Sequence, residues 1–388
     1  MDVLIKEPDL LSRLAVLFEL PLSVLRKSNT HIKDNRVAPN DVITIPGYWT
    51  RYEDIHEVNL DSSLQQERIC FVNHQSIEHL TESETIRLPV KIQQSIMNVT
   101  TPYTSEKLSY DIELLQTIFP FIHKSSIGQS TLGKEIWELR IGCGPKKIHI
   151  NASMHANEWI TSLVLMKWVN DYLLALSNGK KIGHCQAMEL FMETELSIIP
   201  MVNPDGVDLV LNGPPPSLYE ELVSINHQSD DFTSWKANIR GVDLNDQFPA
   251  NWELEKQRSS QKKPASRDYP GPHPLSEAEA IHLVRLVERE CFLRVIALHT
   301  QGHEFYWGYE GCEPDTSSIL AREFTNKTNY RAVRYVNSHA GFKDWFIQTY
   351  KKEGVTIELG KGINPLPLSQ FPQIYQETVH LLNAAVYL

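Results

Sequence analysis

The chain has 388 residues, of which 41% are hydrophobic and 22% charged, as is typical of a globular protein with two or three domains. Its formal net charge of -11 argues against nonspecific binding to nucleic acid or to an anionic membrane. The longest apolar window, residues 159–176, is interrupted by Lys167, Asn170 and Asp171. We therefore expect a buried helix there and no membrane insertion.

The cysteines are scattered, odd in number and without any C-x-x-C pair, which argues against a disulfide framework and indicates a reducing compartment. They are Cys70, Cys143, Cys185, Cys291 and Cys312. The first residues show no basic region followed by an apolar stretch, so we predict no secretory signal. The sequence makes no prediction about the oligomeric state.

The N-terminal hundred residues contain an internal repeat. The segment Ile43-Thr44-Ile45-Pro46 recurs as Ile86-Arg87-Leu88-Pro89, and each copy follows a leucine-rich amphipathic segment and an asparagine, Asn29 or Asn73. The first copy predicts a short strand, two helices joined by a turn at Asn29, and a closing strand.

This first copy resembles a LysM module, a βααβ fold that binds N-acetylglucosamine-containing glycans. The opening Pro8-Asp9-Leu10-Leu11 departs from the Gly-Asp-Ser/Thr-Leu pattern of that family. We predict one LysM-like module over residues 1–49 and a second, degenerate one over residues 50–96. The alternative is a small helical accessory domain without a ligand.

After a polar linker at 97–104, the pattern becomes α/β. Apolar runs at 147–151, 196–201, 295–298 and 355–357 predict buried strands, and a Pro- and Gly-rich stretch at 263–275 predicts a surface loop. Helices are predicted at 105–118, 159–175, 276–290, 317–328 and 371–387. This alternation indicates an α/β domain with a mixed sheet over residues 97–388.

Candidate metal ligands stand at the ends of two predicted strands. His155 and Glu158 follow the run at 147–151, and His299 ends the run at 295–298. Two imidazoles and a carboxylate suit a catalytic zinc, which takes three protein ligands and keeps a fourth position for water. Zinc lowers the pKa of that water to about 7, which makes hydroxide available near neutral pH.

Glu358 ends a third predicted strand, at 355–357. A carboxylate beside a metal-bound water can take its proton and pass it to a leaving amine. The alternative is an edge carboxylate held in a salt bridge.

Several ordered motifs resemble the zinc carboxypeptidase (carboxypeptidase A-like) family over roughly residues 105–388. The resemblance implies a mixed sheet flanked by helices, one zinc ion bound by His155, Glu158 and His299, and Glu358 as general base and acid. The motifs are H-x-x-E at 155–158, Asn-Pro-Asp-Gly at 203–206, Gly-Val-Asp-x-Asn at 241–245, His-Thr-x-Gly at 299–302 and Glu-Leu-Gly at 358–360.

The same resemblance implies roles for two further residues. Lys236 stands where the family has an arginine that stabilises the oxyanion, and Lys supplies the charge without the bidentate fork. Asp243 matches an aspartate that orients the first zinc histidine. The alternatives are a solvated surface lysine and a turn-capping aspartate.

Substrate binding involves a departure from the family pattern. Exopeptidases of the family have Asn-Arg where this chain has Asn245-Asp246, and their arginine binds the terminal carboxylate of the substrate. The reversed charge disfavours a carboxylate and favours a cationic group, such as the amine of meso-diaminopimelate; alternatively, Asp246 pairs with Arg240. Tyr335 resembles a family tyrosine that closes over substrate, at a spacing that differs by about a residue.

N-terminal repeats before an Asn-Asp variant of this domain resemble the branch of the family that acts on peptidoglycan peptides in sporulating bacilli. The resemblance implies hydrolysis of the γ-D-glutamyl–meso-diaminopimelate bond in peptidoglycan stem peptides by Glu358-assisted attack of a zinc-bound water. The lack of a predicted secretory signal agrees with a cytoplasmic or forespore-associated enzyme. Two alternatives stay open: a glycan- or muropeptide-binding protein without turnover, and a carboxypeptidase or deacylase of the same fold.

Overall fold

The structure is a computed structural model that describes residues 1–54, 57–58, 62–80 and 85–388. Parts of the predicted second module, residues 55–56, 59–61 and 81–84, lie outside the described residues. Among the described residues, no helix is long and apolar enough to cross a membrane.

The first N-terminal repeat is closed by pairing of its first and last strands. β1 runs antiparallel to β4, with Val3 opposite Ile43, and both side chains are buried. The strand–helix–helix–strand order predicted for this repeat is observed, with an additional pair formed by β2 and β3. The predicted position of the turn is wrong: residues 18–21 join the two helices, and Asn29 follows the end of α2. The elements are β1 (Asp2–Leu4), β2 (Asp9–Leu10), α1 (Leu11–Leu17), α2 (Leu22–Ser28), β3 (Arg36–Val37) and β4 (Val42–Thr44).

The second repeat uses the same order of elements and the same asparagine contact. Asn29 donates to the Thr44 carbonyl at 2.8 Å and accepts from the Thr44 N–H at 2.8 Å. Asn73 makes the equivalent pair of bonds to Arg87, at 2.7 and 2.9 Å. The elements are β5 (Tyr48–Glu53), α3 (Ser63–Asn73), α4 (Ile77–Leu80) and β6 (Ile86–Lys91), and β5 pairs antiparallel with β6.

The rest of the chain forms a mixed sheet flanked by helices. The eight strands lie in the order β15-β14-β16-β13-β9-β12-β8-β7, and β12, β9, β13 and β16 run parallel. The strands of this sheet are β7 (His123–Gln129), β8 (Glu135–Gly142), β9 (Lys146–Ala152), β12 (Thr194–Ile199), β13 (Arg294–Thr300), β14 (Glu304–Tyr306), β15 (Arg331–Val333) and β16 (Glu353–Leu359). A separate short pair consists of β10 (Lys181–Ile182) and β11 (Cys185–Gln186).

All five helices predicted for this part of the chain are observed, with ends that differ by two residues or fewer. Those predicted at 105–118 and 371–387 are observed with the same bounds, and the 263–275 stretch is a loop. The helices of this part are α5 (Ser105–Ile118), α6 (Ile160–Ser177), α7 (Ala187–Glu193), α8 (Pro204–Asn212), α9 (Tyr219–Ile225), α10 (Trp252–Arg258), α11 (Ala278–Glu290), α12 (Thr316–Lys327), α13 (Phe342–Tyr350) and α14 (Phe371–Tyr387).

The parallel strands bring polar side chains together at one edge of the sheet. In β9, β13 and β16 almost every residue is buried, because both faces of the sheet are covered by helices. Since their carboxyl ends lie side by side, residues that follow these strands converge at one edge of the sheet.

The N-terminal repeats pack on the other end of this domain. Asn178, which follows the last turn of α6, donates to the Ile92 carbonyl at 3.1 Å, and the Gly47 N–H donates to the Ile118 carbonyl at 2.8 Å. The 18 residues of α6 span about 27 Å, and its first turn lies next to His155 and Glu158. The contact at Asn178 is therefore at the end of α6 remote from the ends of β9 and β13.

Candidate metal centre

His155, Glu158 and His299 form one buried cluster at the carboxyl edge of the sheet. Nδ1 of His155 lies 3.0 Å from Oε1 of Glu158, and Nδ1 of His299 lies 3.0 Å from Oε2 of the same carboxylate. The two Nδ1 atoms are 3.1 Å apart. One potential ligand atom from each residue thus lies within 4.8 Å of the others.

A tight turn after β9 brings His155 and Glu158 together. Ser153 has a φ of 47°, and its N–H donates to Oγ1 of Thr161 at 2.9 Å. A 3-10 helix at Ala156–Glu158 then leads directly into α6. This turn directs the side chains of His155 and Glu158 toward His299, at the end of the neighbouring strand β13.

The carboxylate of Glu158 has two further donors that the sequence analysis did not identify. Nδ2 of Asn364 lies 3.2 Å from Oε1, and the backbone N–H of Thr300 lies 3.3 Å from Oε2. Asn364 belongs to an irregular loop, so no helical or strand period marks it in the sequence.

Asp243 supports His155 from the side opposite the cluster. Its Oδ1 lies 3.2 Å from Nε2 of His155, and its Oδ2 lies 2.7 Å from Nζ of Lys236. Oδ1 also accepts from the N–H of Asn245 at 3.1 Å, so Asp243 caps a short turn as well. Lys236 is therefore part of the buried network and not a solvated surface lysine.

The charges in this network set the protonation of the two histidines. Burial lowers the pKa of His155, but the carboxylates of Glu158 and Asp243 outweigh it and raise that pKa to about 9. Burial lowers the pKa of His299. Burial alone would raise the pKa of Glu158, but the two imidazoles lower it to about 2.

Glu358 lies next to the cluster on β16. It is the register partner of His299 on the adjacent parallel strand, so the two side chains lie on the same face of the sheet. Burial, and to a lesser extent the negative charge of Glu158, hold the pKa of Glu358 well above its usual range. Strand β16 is internal, and no basic side chain of the described residues forms an ion pair with Glu358, so the edge salt bridge is not observed.

Asn245 and Asp246 occupy a short 3-10 helix that follows Asp243. Oδ1 of Asn245 accepts from the Phe342 N–H at 3.2 Å, which ties this turn to the start of α13. Asp246 is half-buried, and burial and the charge of Asp243 hold its pKa well above the usual range. Within the described parts of the chain, no basic side chain forms an ion pair with Asp246.

Arg240 and Tyr335 contact residues outside the cluster. The Arg240 guanidinium is largely exposed and lies 3.5 Å from Glu277, so it does not pair with Asp246. The Tyr335 hydroxyl donates to Glu313 at 2.9 Å, and the tyrosine ring packs against Arg334. A substrate contact by Arg240 or Tyr335 stays a prediction.

The cluster suits a zinc ion by its donors and their arrangement. Two imidazole nitrogens and a carboxylate are ligands that zinc takes in catalytic sites. Nε2 of His155 is engaged by Asp243, which leaves Nδ1 for the metal, and Nε2 of His299 is buried without a hydrogen-bond partner among the described residues. Both imidazoles therefore present Nδ1 to the same point as Glu158.

The family profile described as zinc carboxypeptidase (Peptidase_M14) matches residues 110–380. The chain belongs to the zinc carboxypeptidase family. Its cofactor is zinc, and His155, Glu158 and His299 form a group that could hold a metal ion. The predicted fold, a carboxypeptidase A-like mixed sheet flanked by helices, is confirmed.

Similar proteins include a relative that matches over its whole length. The chain is 43% identical over 397 aligned residues, 100% of each chain, to gamma-D-glutamyl-L-diamino acid endopeptidase 1 of Lysinibacillus sphaericus. It is 45% identical over 304 residues, 77% of this chain and 81% of the other, to the uncharacterised protein YqgT of Bacillus subtilis (strain 168).

Solved structures of other proteins share the fold. Bovine thrombin-activatable fibrinolysis inhibitor superposes with a TM-score of 0.58 at 19% identity, covering 74% of this chain and 97% of that one. Carboxypeptidase A from Helicoverpa armigera superposes with a TM-score of 0.57 at 16% identity, covering 89% and 98%.

Proposed function

We propose that the chain is a zinc peptidase that hydrolyses the γ-D-glutamyl–meso-diaminopimelate bond of peptidoglycan stem peptides. The observation that carries the proposal is the carboxylate of Asp246, which follows the metal-supporting turn without a basic partner among the described residues. A carboxyl group without an ion pair at this position suits an ammonium group of the substrate, whose charge would favour the ionised form that burial and Asp243 disfavour. The full-length relative named for a γ-D-glutamyl-L-diamino acid bond supports the same substrate class.

Zinc, when bound, polarises the scissile carbonyl and acidifies a water molecule. Glu358 is the group that takes the proton of the attacking water and gives it to the leaving amine of diaminopimelate. Burial and the charge of Glu158 raise the pKa of Glu358, and a carboxylate with a higher pKa is a stronger base.

Lys236 places a positive charge beside the metal ligands. Its ammonium forms an ion pair with Asp243 and lies 3.4 Å from Asp268. We propose that the Lys236 ammonium stabilises the negative charge that develops on the carbonyl oxygen. It would act through its charge and without a bidentate contact. Asp243 keeps the lysine charged, because its carboxylate holds the pKa of Lys236 above the usual range.

The leaving group is recognised by Asn245 and Asp246. Diaminopimelate carries a second amine beyond the scissile bond, and the Asp246 carboxylate is our candidate partner for it. Oδ1 of Asn245 already accepts from the Phe342 N–H. The Nδ2 of Asn245 therefore remains to donate to a carboxylate of the diaminopimelate residue. Together these groups distinguish a diamino acid from an ordinary C-terminal residue.

We infer that residues 1–49 and 50–96 are two LysM-like units that bind the N-acetylglucosamine-containing glycan of the wall. The repeated asparagine contact, Asn29 to Thr44 and Asn73 to Arg87, supports the common ancestry of the two units. Because they pack at the end of α6 remote from His155, a glycan bound there would tether the enzyme away from the metal cluster.

A cytoplasmic or forespore-associated enzyme agrees with the chemistry of the cysteines. All five are free thiols, which is the usual state in a reducing compartment. We therefore propose that the substrates are wall fragments available inside the cell.

The experiment is incubation of the zinc-loaded protein with L-Ala-γ-D-Glu-meso-diaminopimelate, followed by mass spectrometry. Release of diaminopimelate and the dipeptide supports the proposal. Tight binding of the tripeptide without cleavage favours a binding protein instead. Cleavage of N-acyl amino acids with an intact tripeptide favours a deacylase.

A further inference from the structure

Asn364 bridges the metal cluster and the end of strand β13. Its Nδ2 lies 3.2 Å from Oε1 of Glu158 and 3.2 Å from the carbonyl oxygen of Thr300. Its Oδ1 accepts from the Thr300 hydroxyl at 2.7 Å. These bonds fix the orientation of the amide, because the donor and acceptor sides of the side chain have different partners.

We propose that Asn364 is a positioning residue that holds Glu158 in the orientation in which it binds zinc. The Thr300 N–H engages one carboxylate oxygen and Asn364 engages the other, so the two donors together limit rotation of the carboxylate. Loss of such an outer contact lowers metal affinity by about 10- to 100-fold in zinc sites. The proposal rests on the zinc site alone and is independent of which bond the enzyme cleaves.

The loop that carries Asn364 has anchors that do not involve the metal cluster. The side chain of Gln370 accepts from the Lys361 N–H at 3.3 Å and donates to the Lys361 carbonyl at 2.7 Å. The Gly302 N–H donates to the Gly360 carbonyl at 3.1 Å, and Leu366 is buried in the core. The loop can therefore keep its place when the amide of Asn364 is removed.

Gln370 provides the matched control. Gln370→Ala removes two bonds that hold the same loop and none that reaches Glu158. Thr300→Val removes the hydroxyl that orients Asn364 and keeps the backbone N–H on Glu158. If Asn364 positions Glu158, only the Asn364 and Thr300 variants should lose zinc affinity. If the effect comes from a loosened loop, the Gln370 variant should lose it as well.

The test measures zinc affinity by competition with a chromophoric chelator, in the full chain and without substrate. Asn364→Ala should weaken zinc binding by about 10- to 100-fold, with the melting temperature of the metal-free protein unchanged. Thr300→Val should weaken it less, and should add no further loss in the Asn364→Ala background. Gln370→Ala should stay within about twofold of the wild type, since it leaves both donors to Glu158 in place.

Two results would overturn the proposal. One is wild-type zinc affinity in Asn364→Ala. The other is an equal loss of affinity in Gln370→Ala and Asn364→Ala, which would assign the effect to the loop. Because no substrate is present, either result leaves the proposed peptidase activity to be decided by its own experiment.

Discussion

Lys236 and Asp243 form an ion pair of 2.7 Å behind the first metal histidine. The Asp243 side chain is fully buried, and its other oxygen faces His155. Lys236 is therefore linked to His155 through one buried carboxylate. With the oxyanion role that we propose for it, the same ammonium group would serve two tasks.

Removing this ammonium should cost stability. Lys236→Met leaves the buried Asp243 carboxylate with His155 as its remaining side-chain partner, and breaking a buried ion pair from one side costs about 3 kcal/mol. Urea unfolding of the zinc-loaded protein should show this loss. Lys181→Met, at an exposed lysine, should change the free energy of unfolding by less than about 0.5 kcal/mol. Equal stability of both variants would contradict the coupling of Lys236 to Asp243.

Replacing Glu358 should impair proton transfer and leave metal binding unchanged. Glu358→Gln preserves the shape of the side chain and removes the base, so kcat should fall by about 10²- to 10⁴-fold. Zinc content, measured by atomic absorption, should stay at one ion per chain. A fully active variant would remove Glu358 from the mechanism, and loss of zinc would show that it acts as a ligand.

Asp246 should decide the preference for the diamino acid. We compare the tripeptide with the same tripeptide acetylated on the free amine of diaminopimelate, in the wild type and in Asp246→Asn. A hydrogen bond to a charged group contributes about 1.5–3 kcal/mol, so the wild type should prefer the free amine by about 10- to 100-fold in kcat/KM. The preference should largely disappear in Asp246→Asn. A preference that survives the substitution would place amine recognition elsewhere.

Zinc binding should release a proton at neutral pH. In the metal-free site the pKa of His155 is raised to about 9, so the imidazole is protonated at pH 7 and must lose a proton before Nδ1 can bind a metal. The apparent zinc affinity should therefore increase as the pH rises from 7 toward 9. Calorimetry at pH 7 in two buffers of different ionisation enthalpy measures the number of protons released. Identical heats in the two buffers would contradict a protonated His155.

The positions of the strand ends could be predicted from the sequence, because each apolar run is short and is followed by a histidine or a glutamate that could bind a metal or transfer a proton. His155, His299 and Glu358 each follow or end such a run, and parallel strands bring these ends together. The half of the sheet formed by β7, β8, β14 and β15 was not predicted, since those strands are partly exposed and carry polar residues.

The missed contacts come from loops. Asn364 and Asp268 reach the site through irregular segments, where no period of apolar residues fixes the direction of a side chain. Arg240 shows the converse: it is close to Asp246 in sequence, yet its guanidinium pairs with Glu277. Proximity along the chain therefore did not decide which charges meet in space.

The most direct test of the central claim is hydrolysis of L-Ala-γ-D-Glu-meso-diaminopimelate in ¹⁸O-labelled water by the zinc-loaded protein, beside Glu358→Gln. We predict free diaminopimelate without label, and L-Ala-D-Glu with one ¹⁸O in its γ-carboxylate, at a rate that collapses in the variant. An intact tripeptide, or label on alanine, would contradict the account.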